Sequence, residues 1–282
     1  MRVFVTGISG QLGYEVGEEL TSRGISCLGV TSKNLDVTNG AQVRRVLSEY
    51  KPDAVIHCAA YTQVDKAEED RVRCWEVNAD GTRYLAEAAK EIDAKLIYIS
   101  TDYVFRGDGE KEYEVEDDVN PQNIYGLAKL GGELAVRSLL DRFFIVRTSW
   151  AYGRGNRNFI KSMLRLAETH KELSVVDDQI GSPTYMKDLA VLLCDMIMTE
   201  KYGIYHATNE GFCSRYKFAQ EIFRVYNKDV KLIPVSSECF PSKAVRPKNS
   251  RMSKRSLIDA GFNSLPDWKD ALRRYAALDG EM

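Results

Sequence analysis

The chain opens Met1-Arg2-Val3-Phe4-Val5-Thr6-Gly7-Ile8-Ser9-Gly10-Gln11-Leu12-Gly13, and this stretch decides the fold. The apolar run Val3-Phe4-Val5 reads as a buried strand that Thr6-Gly7 brings to an end. Glycines at Gly7, Gly10 and Gly13 then lead into a helix. A strand passing through a glycine-rich turn into a helix N-terminus is how backbone N–H groups close on a pyrophosphate. The spacing Gly-x-x-Gly-x-x-Gly differs from the commonest dinucleotide fingerprint, Gly-x-Gly-x-x-Gly. It still leaves one glycine for the tight turn, one for close approach to phosphate and one for helix–strand packing. Alone, the turn fits a dinucleotide site and a plain βα corner equally well.

Downstream, strand and helix signals alternate. Leu12 to Thr21 has apolar residues at helical spacing and stops at Gly24. Ile25 to Val30 reads as a second strand, Ala41 to Tyr50 as a helix and Ala54 to His57 as a third strand. A long helix is expected from about Arg71 to Ile92, a fourth strand over Lys95 to Ser100, a helix over Asn123 to Leu139 and a fifth strand over Phe143 to Arg147. This rhythm predicts an α/β protein with a doubly wound parallel sheet, whose ligands bind beyond the carboxyl ends of the strands.

After Trp150 the rhythm loosens. Helices are expected over Asn158 to Thr169 and Lys187 to Met198, with short strands over Leu173 to Val176 and Ile204 to His206. Ser214 has the character of an N-cap for a helix reaching Tyr226. Four of the seven prolines fall in the last fifty residues. The expected division is a dinucleotide-binding domain over 1–150 and a smaller mixed substrate domain over 151–282, interleaved by a strand or helix returned to the main sheet.

Composition narrows the function. With 39 basic and 41 acidic residues, the net charge of -2 gives no reason to expect nucleic acid or an acidic membrane as partner. Six cysteines show no CxxC spacing and read as reduced thiols, neither a disulfide frame nor a zinc site. The N-terminus enters a strand directly and no apolar run approaches the ~18 residues of a membrane span, so a cytoplasmic protein is expected.

The strand ends carry the chemistry. Beyond the second strand, Thr31-Ser32-Lys33 holds no acid to repel a ribose 2′-phosphate, and Ser32 and Lys33 could accept one. The lean is towards NADPH over NADH. Beyond the third strand, Cys58-Ala59-Ala60-Tyr61 places small residues where a ring or ribose could approach the backbone. Beyond the fourth comes Ser100-Thr101-Asp102-Tyr103. Further along, Tyr125 and Lys129 stand four apart on a helix and share a face, the one Tyr-x-x-x-Lys pair in the chain. A nearby ammonium would stabilise the phenolate and lower the tyrosine's pKa. With Thr101 holding a carbonyl oxygen, Tyr125 could pass it a proton as a hydride arrives. His57 reads as structural.

Taken together, TGISGQLG, the Asp36-Val37 pair, HCAAYTQVDKAE, the Asn78 segment, STDYVF and NIYGLAK resemble the extended short-chain dehydrogenase/reductases. RTSWAYG, DQIGSPT and Arg246-Pro247 are similar to those members that reduce the C4 keto group of a dTDP-linked 6-deoxy sugar. The resemblance covers nearly the whole chain. It implies that Gly7, Gly10, Gln11, Leu12 and Gly13 hold the pyrophosphate of NADPH or NADH and that Asp36 and Val37 hold the adenine. Ala59, Ala60 and Tyr61 would line the ribose and nicotinamide side. Thr101, Tyr125 and Lys129 would be catalytic, Tyr103 and Trp150 would touch the sugar, and Gln179, Gly181, Pro183, Thr184 and Arg246 would shape the nucleotide-diphosphate end. Family members are associated with Mg²⁺, but no carboxylate cluster singles out a metal site here. The resemblance also allows a homodimer. Two other functions stay open: a sugar-nucleotide epimerase, and a non-catalytic regulatory subunit like the β-subunit of methionine adenosyltransferase. Dehydration is disfavoured, because Tyr103 stands where the related dehydratases carry a glutamate.

Overall fold

In the computed structural model, which describes residues 1–155 and 158–279, the opening stretch forms strand β1 (Arg2–Thr6) and helix α1 (Gln11–Ser22). The first half continues through β2 (Ser26–Val30), α2 (Gly40–Tyr50), β3 (Ala54–His57), α3 (Val64–Ala67), α4 (Arg71–Trp75), α5 (Gly81–Glu91), β4 (Lys95–Thr101), α6 (Ile124–Leu139) and β5 (Phe143–Thr148). The second half holds β6 (Ala151–Tyr152), α7 (Phe159–Ala167), β7 (Glu172–Val176), β8 (Ile180–Gly181), β9 (Thr184–Tyr185), α8 (Met186–Ile197) and β10 (Gly203–His206). Beyond it lie β11 (Asn209–Glu210), β12 (Cys213–Ser214), α9 (Arg215–Val225), β13 (Lys231–Val235), β14 (Asn249–Ser250), α10 (Arg255–Asp259), β15 (Leu265–Asp267) and α11 (Trp268–Asp279).

Six strands pair in the order β10-β5-β4-β3-β1-β2, all parallel. Alternation explains why both faces are covered. Val3 and Val5 of β1 point into a core shared with α1 and α8, whereas Phe4 points into the opposite core, against α2, α5 and α6. β10 is the returning strand: Gly203–His206 lies beside Phe144 to Arg147 and forms one edge of the sheet. A third core, built from Tyr152, Tyr185, Phe218, Trp268 and Tyr275 among others, belongs to the second half.

The expected long helix over Arg71 to Ile92 is broken. Between α4 and α5, residues Glu76–Asp80 form a π-turn. The cause lies at Asn78, whose side chain accepts from the Tyr61 amide at 2.9 Å and donates to the Tyr61 carbonyl at 3.0 Å. Its backbone carbonyl accepts from the hydroxyls of Thr82 and Tyr98. These contacts replace regular helical bonding and tie the loop after β3 to the helix. Ser214 caps α9 as expected, accepting from the Lys217 amide at 3.0 Å.

Two glycines set the opening turn. Gly7 adopts φ +68°, and a Cβ there would lie 2.7 Å from the Ala59 nitrogen. A Cβ on Gly13 would lie 2.1 Å from the Gly7 carbonyl oxygen, so α1 can press on the turn only with glycine there. Gly10 precedes α1 as its N-cap, with more room around it.

Candidate active site

Three adjoining cavities run along the carboxyl edge of the sheet. The first, about 270 Å³, is lined by Val30, Ser32, Asp36, Val37, Tyr61 and Arg73. The second, about 490 Å³, holds Gly7, Gly10, Gln11, Leu12, Gly13, Thr101, Tyr103, Tyr125 and Lys129. The third, about 570 Å³, holds Trp150, Phe159, Met163, Gln179, Phe218, Arg215 and Arg246. Gly7, Ser32, Ala59 and Ala60 line the first two, Trp150 and Ala151 the last two, and Thr62 all three. The cavities therefore form one trough.

Most of the predicted residues meet there, and some do not. Ser32 lies at the junction of the first two cavities, while Lys33 is exposed and lines none of the three. Tyr61 sits only on the Asp36 side. Its backbone is held by Asn78 and its hydroxyl donates to Asp70 at 3.3 Å. Asp36 accepts from the Thr38 amide and hydroxyl, which hold its carboxyl below the usual range. Gly181 lies beneath the Trp150 indole, where a Cβ would come within 3.0 Å of the ring. Pro183 and Thr184 are buried behind the trough and do not line it.

At the end of β4 the Thr101 hydroxyl donates to Asp102 Oδ1 at 2.9 Å and accepts from the Tyr103 amide at 3.2 Å. The other Asp102 oxygen accepts from Ser250, and burial raises this carboxyl above its ordinary range. Tyr125 comes from the first turn of α6, which Asn123 caps through the Gly126 amide at 2.8 Å. Its ring meets Tyr103 edge to face. Burial pushes the Tyr125 phenol well above its usual value, against a smaller opposing effect of the Thr101 hydroxyl. The expected lowering by Lys129 is thus not what dominates. Lys129 is itself buried and loses hydration, which lowers it to about 7, and Glu133 one helical turn on pulls it back up. The ammonium lies 4.1 Å from the centre of the Tyr98 ring. Glu133 is pinned by Ser100 at 2.5 Å and by both ends of Arg147 at 2.9 and 2.8 Å.

His57 is structural. Its Nδ1 lies 2.7 Å from the Thr6 hydroxyl and its Nε2 3.2 Å from the Thr82 hydroxyl, which donates to the Asn78 carbonyl. That chain makes Nε2 the protonated nitrogen, and burial lowers the ring to about 3. The six cysteines carry no bridge. Among the described residues no three His, Cys, Asp or Glu side chains come together to hold a metal ion, and no helix is long and apolar enough to cross a membrane.

Several residues of the trough escaped the sequence reading. Asp102 stands within a motif but was given no role. Thr62 likewise stands within HCAAYTQVDKAE with no role of its own, Arg73 carries no local signal, and Arg215 sits at the start of a helix that reads as ordinary. The trough suits a dinucleotide: its polar atoms Gln11 Oε1 and Thr148 Oγ1 are buried without a partner, and the glycine turn opens onto them.

A parallel sheet with a glycine turn after its first strand, and a Tyr-x-x-x-Lys helix beside the end of its fourth, defines the extended short-chain dehydrogenase/reductase class of nicotinamide-dependent oxidoreductases. The chain belongs to the RmlD substrate binding domain family, whose model matches residues 1–279. It is 40% identical over 287 residues to the dTDP-4-dehydrorhamnose reductase of Streptomyces griseus, covering 99% of this chain and 94% of that one. Among solved structures, the dTDP-4-dehydrorhamnose reductase of Clostridium acetobutylicum superposes with a TM-score of 0.97 at 42% identity, covering 99% of this chain and 100% of that chain. The Bacillus anthracis dTDP-4-dehydrorhamnose reductase, solved in complex with NADP, gives 0.96 at 45%, covering 98% and 99%.

Proposed function

We propose that this chain reduces the C4 keto group of dTDP-4-dehydro-L-rhamnose to give dTDP-L-rhamnose, with NADPH as its cofactor. The observation that carries this reading is the meeting of Thr101, Tyr103, Tyr125 and Lys129 where the glycine-turn cavity opens into a second, cation-bearing cavity past Trp150. The near full-length similarity to named reductases supports the substrate.

In this reading Gly7, Gly10, Gln11, Leu12 and Gly13 hold the pyrophosphate of the cofactor, Asp36, Val37 and Tyr61 border its adenosine, and Ser32 faces the 2′-phosphate. Ala59 and Ala60 give the ribose and nicotinamide room against the backbone. When bound, the cofactor supplies the hydride that reaches C4 of the sugar. Thr101 turns its hydroxyl from Asp102 towards the keto oxygen and orients it. Tyr125 donates the proton to that oxygen; because burial keeps its phenol protonated at neutral pH, it has one to give. Lys129, whose loss of charge through burial Glu133 partly offsets, steadies in its protonated form the phenolate that remains. Tyr103 and Trp150 flank the sugar, and the third cavity takes the nucleotide.

The test is nicotinamide absorbance with the purified dTDP-4-keto sugar and each cofactor in turn. Oxidation that depends on the sugar and runs faster with NADPH is expected. Cofactor binding without sugar-dependent oxidation would contradict the proposal and favour a regulatory subunit. The same reading makes the enzyme cytoplasmic and leaves room for a homodimer, which sedimentation of the purified protein decides.

A further inference from the structure

The resemblance places Arg246, with Gln179, Gly181, Pro183 and Thr184, at the nucleotide-diphosphate end, and among these Arg246 is the one cation. In the folded chain Arg246 is already engaged: one guanidinium nitrogen lies 2.5 Å from Asp65 Oδ2, and another is 3.5 Å from the Tyr103 hydroxyl. Asp65 also accepts from the Ala244 amide at 3.3 Å, so this carboxylate ties the segment around Arg246 to α3. The Arg246 charge is largely answered by the protein itself.

Arg215 is placed differently. It begins α9 and lines the third cavity. Its guanidinium lies 3.7 Å from the centre of the Trp150 ring and 5.3 Å from that of Phe159. Among the described residues, none of the ion pairs or side-chain hydrogen bonds includes it. Desolvation lowers its pKa to about 10, which leaves it charged at neutral pH. The Asp102 carboxylate acts on it through space but is bonded to Thr101 and Ser250 instead. A cation held on an indole face, facing a cavity and with no ion-pair partner, is set up to receive an anion.

The order of the walls says which anion. Trp150 also borders the cavity of Thr101 and Tyr125, while Phe159, Met163, Val175 and Phe218 line only the third cavity and give it an apolar part, as a flat base requires. Arg215 stands between Trp150 and Phe159. A nucleoside diphosphate sugar laid with its sugar at Trp150 and its base at the apolar part brings its diphosphate to Arg215. None of the residues lining this cavity is an acid.

We propose that Arg215 is the principal diphosphate-binding cation of this chain, and that Arg246 acts chiefly to fasten its own segment to Asp65. This rests on the nucleotide-sugar reading above and assigns a residue to it. A contact with a charged group of this kind is worth roughly ten- to a hundredfold in affinity.

The test compares dTDP with thymidine by ligand-observed NMR on the wild type, Arg215→Met, Arg215→Lys and Arg246→Met, with NADPH affinity measured on each as a check of folding. Arg215→Met should weaken dTDP at least about tenfold, leave thymidine nearly unchanged and be partly rescued in Arg215→Lys. Arg246→Met should lose less. Equal dTDP affinity in Arg215→Met and wild type would overturn the proposal. So would an equal loss for dTDP and thymidine, since that is what a merely structural support of Trp150 predicts. Turnover of the keto sugar by the wild type keeps the two readings apart. If the enzyme turns over and dTDP binding ignores Arg215, only the assignment of Arg215 fails. If the wild type neither turns over the sugar nor binds dTDP, the functional reading falls and this assignment with it.

Discussion

Tyr103 and Tyr125 meet edge to face, their ring centres 5.5 Å apart and their planes at 83°. The meeting depends on Gly126, whose added Cβ would lie 2.2 Å from the Tyr103 carbonyl oxygen. Because that neighbour is backbone, it cannot swing aside as a side chain would. Gly126→Ala should therefore push α6 away from the end of β4, costing about 1–3 kcal/mol in urea unfolding. Turnover should fall further than that loss of stability explains. Unchanged turnover would mean that the distance between Tyr125 and Thr101 has slack.

Lys129 makes stability depend on pH in a definite direction. Burial lowers it from its ordinary 10.5 to about 7, against the pull of Glu133, Cys74 and Cys58. Between those values the unfolded chain binds a proton that the folded chain does not, so this group adds stability as pH rises from about 7 towards 10.5. Lys129→Met should remove that rise, as seen in urea unfolding across the interval. On the acid side, His57 and His206 are each lowered from 6.5 to about 3. Their contribution is present above about 6.5 and is lost as pH falls towards 3 in both proteins.

Cofactor preference should turn on Ser32. It lines both the adenosine-side cavity and the glycine-turn cavity, at the end of β2. Ser32→Asp places a negative charge where the 2′-phosphate is expected. The ratio of kcat/KM for NADPH over NADH should drop roughly tenfold through KM for NADPH. An unchanged ratio would move the phosphate to another part of the wall, which carries the Arg73 cation.

The first half of the molecule was legible because its strands are buried on both faces and its helices on one, so periods of two and 3.6 are written plainly. Val3-Phe4-Val5 splitting between two cores is the simplest instance. The break at Glu76–Asp80 was not legible, since its cause is the pairing of Asn78 with Tyr61, seventeen residues earlier. That Tyr125 and Lys129 share one cavity wall was legible through their spacing. The direction in which burial shifts Tyr125 was not, because desolvation depends on what closes over the ring. Lys33 seemed able to accept a phosphate, yet a polar turn does not say which of two neighbours faces inward. Arg215 was hidden for the opposite reason: a lone arginine at a helix start has no pattern, and only the fold sets it against Trp150.

The central claim, that Tyr125 is the proton donor, is tested most directly by steady-state turnover of Tyr125→Phe with NADPH and the dTDP-4-keto sugar, alongside its NADPH dissociation constant. Removal of the hydroxyl keeps the ring against Tyr103 and takes away only the proton. Turnover should fall by ~10²-fold or more with NADPH affinity largely kept. Turnover equal to that of the wild type would contradict the account.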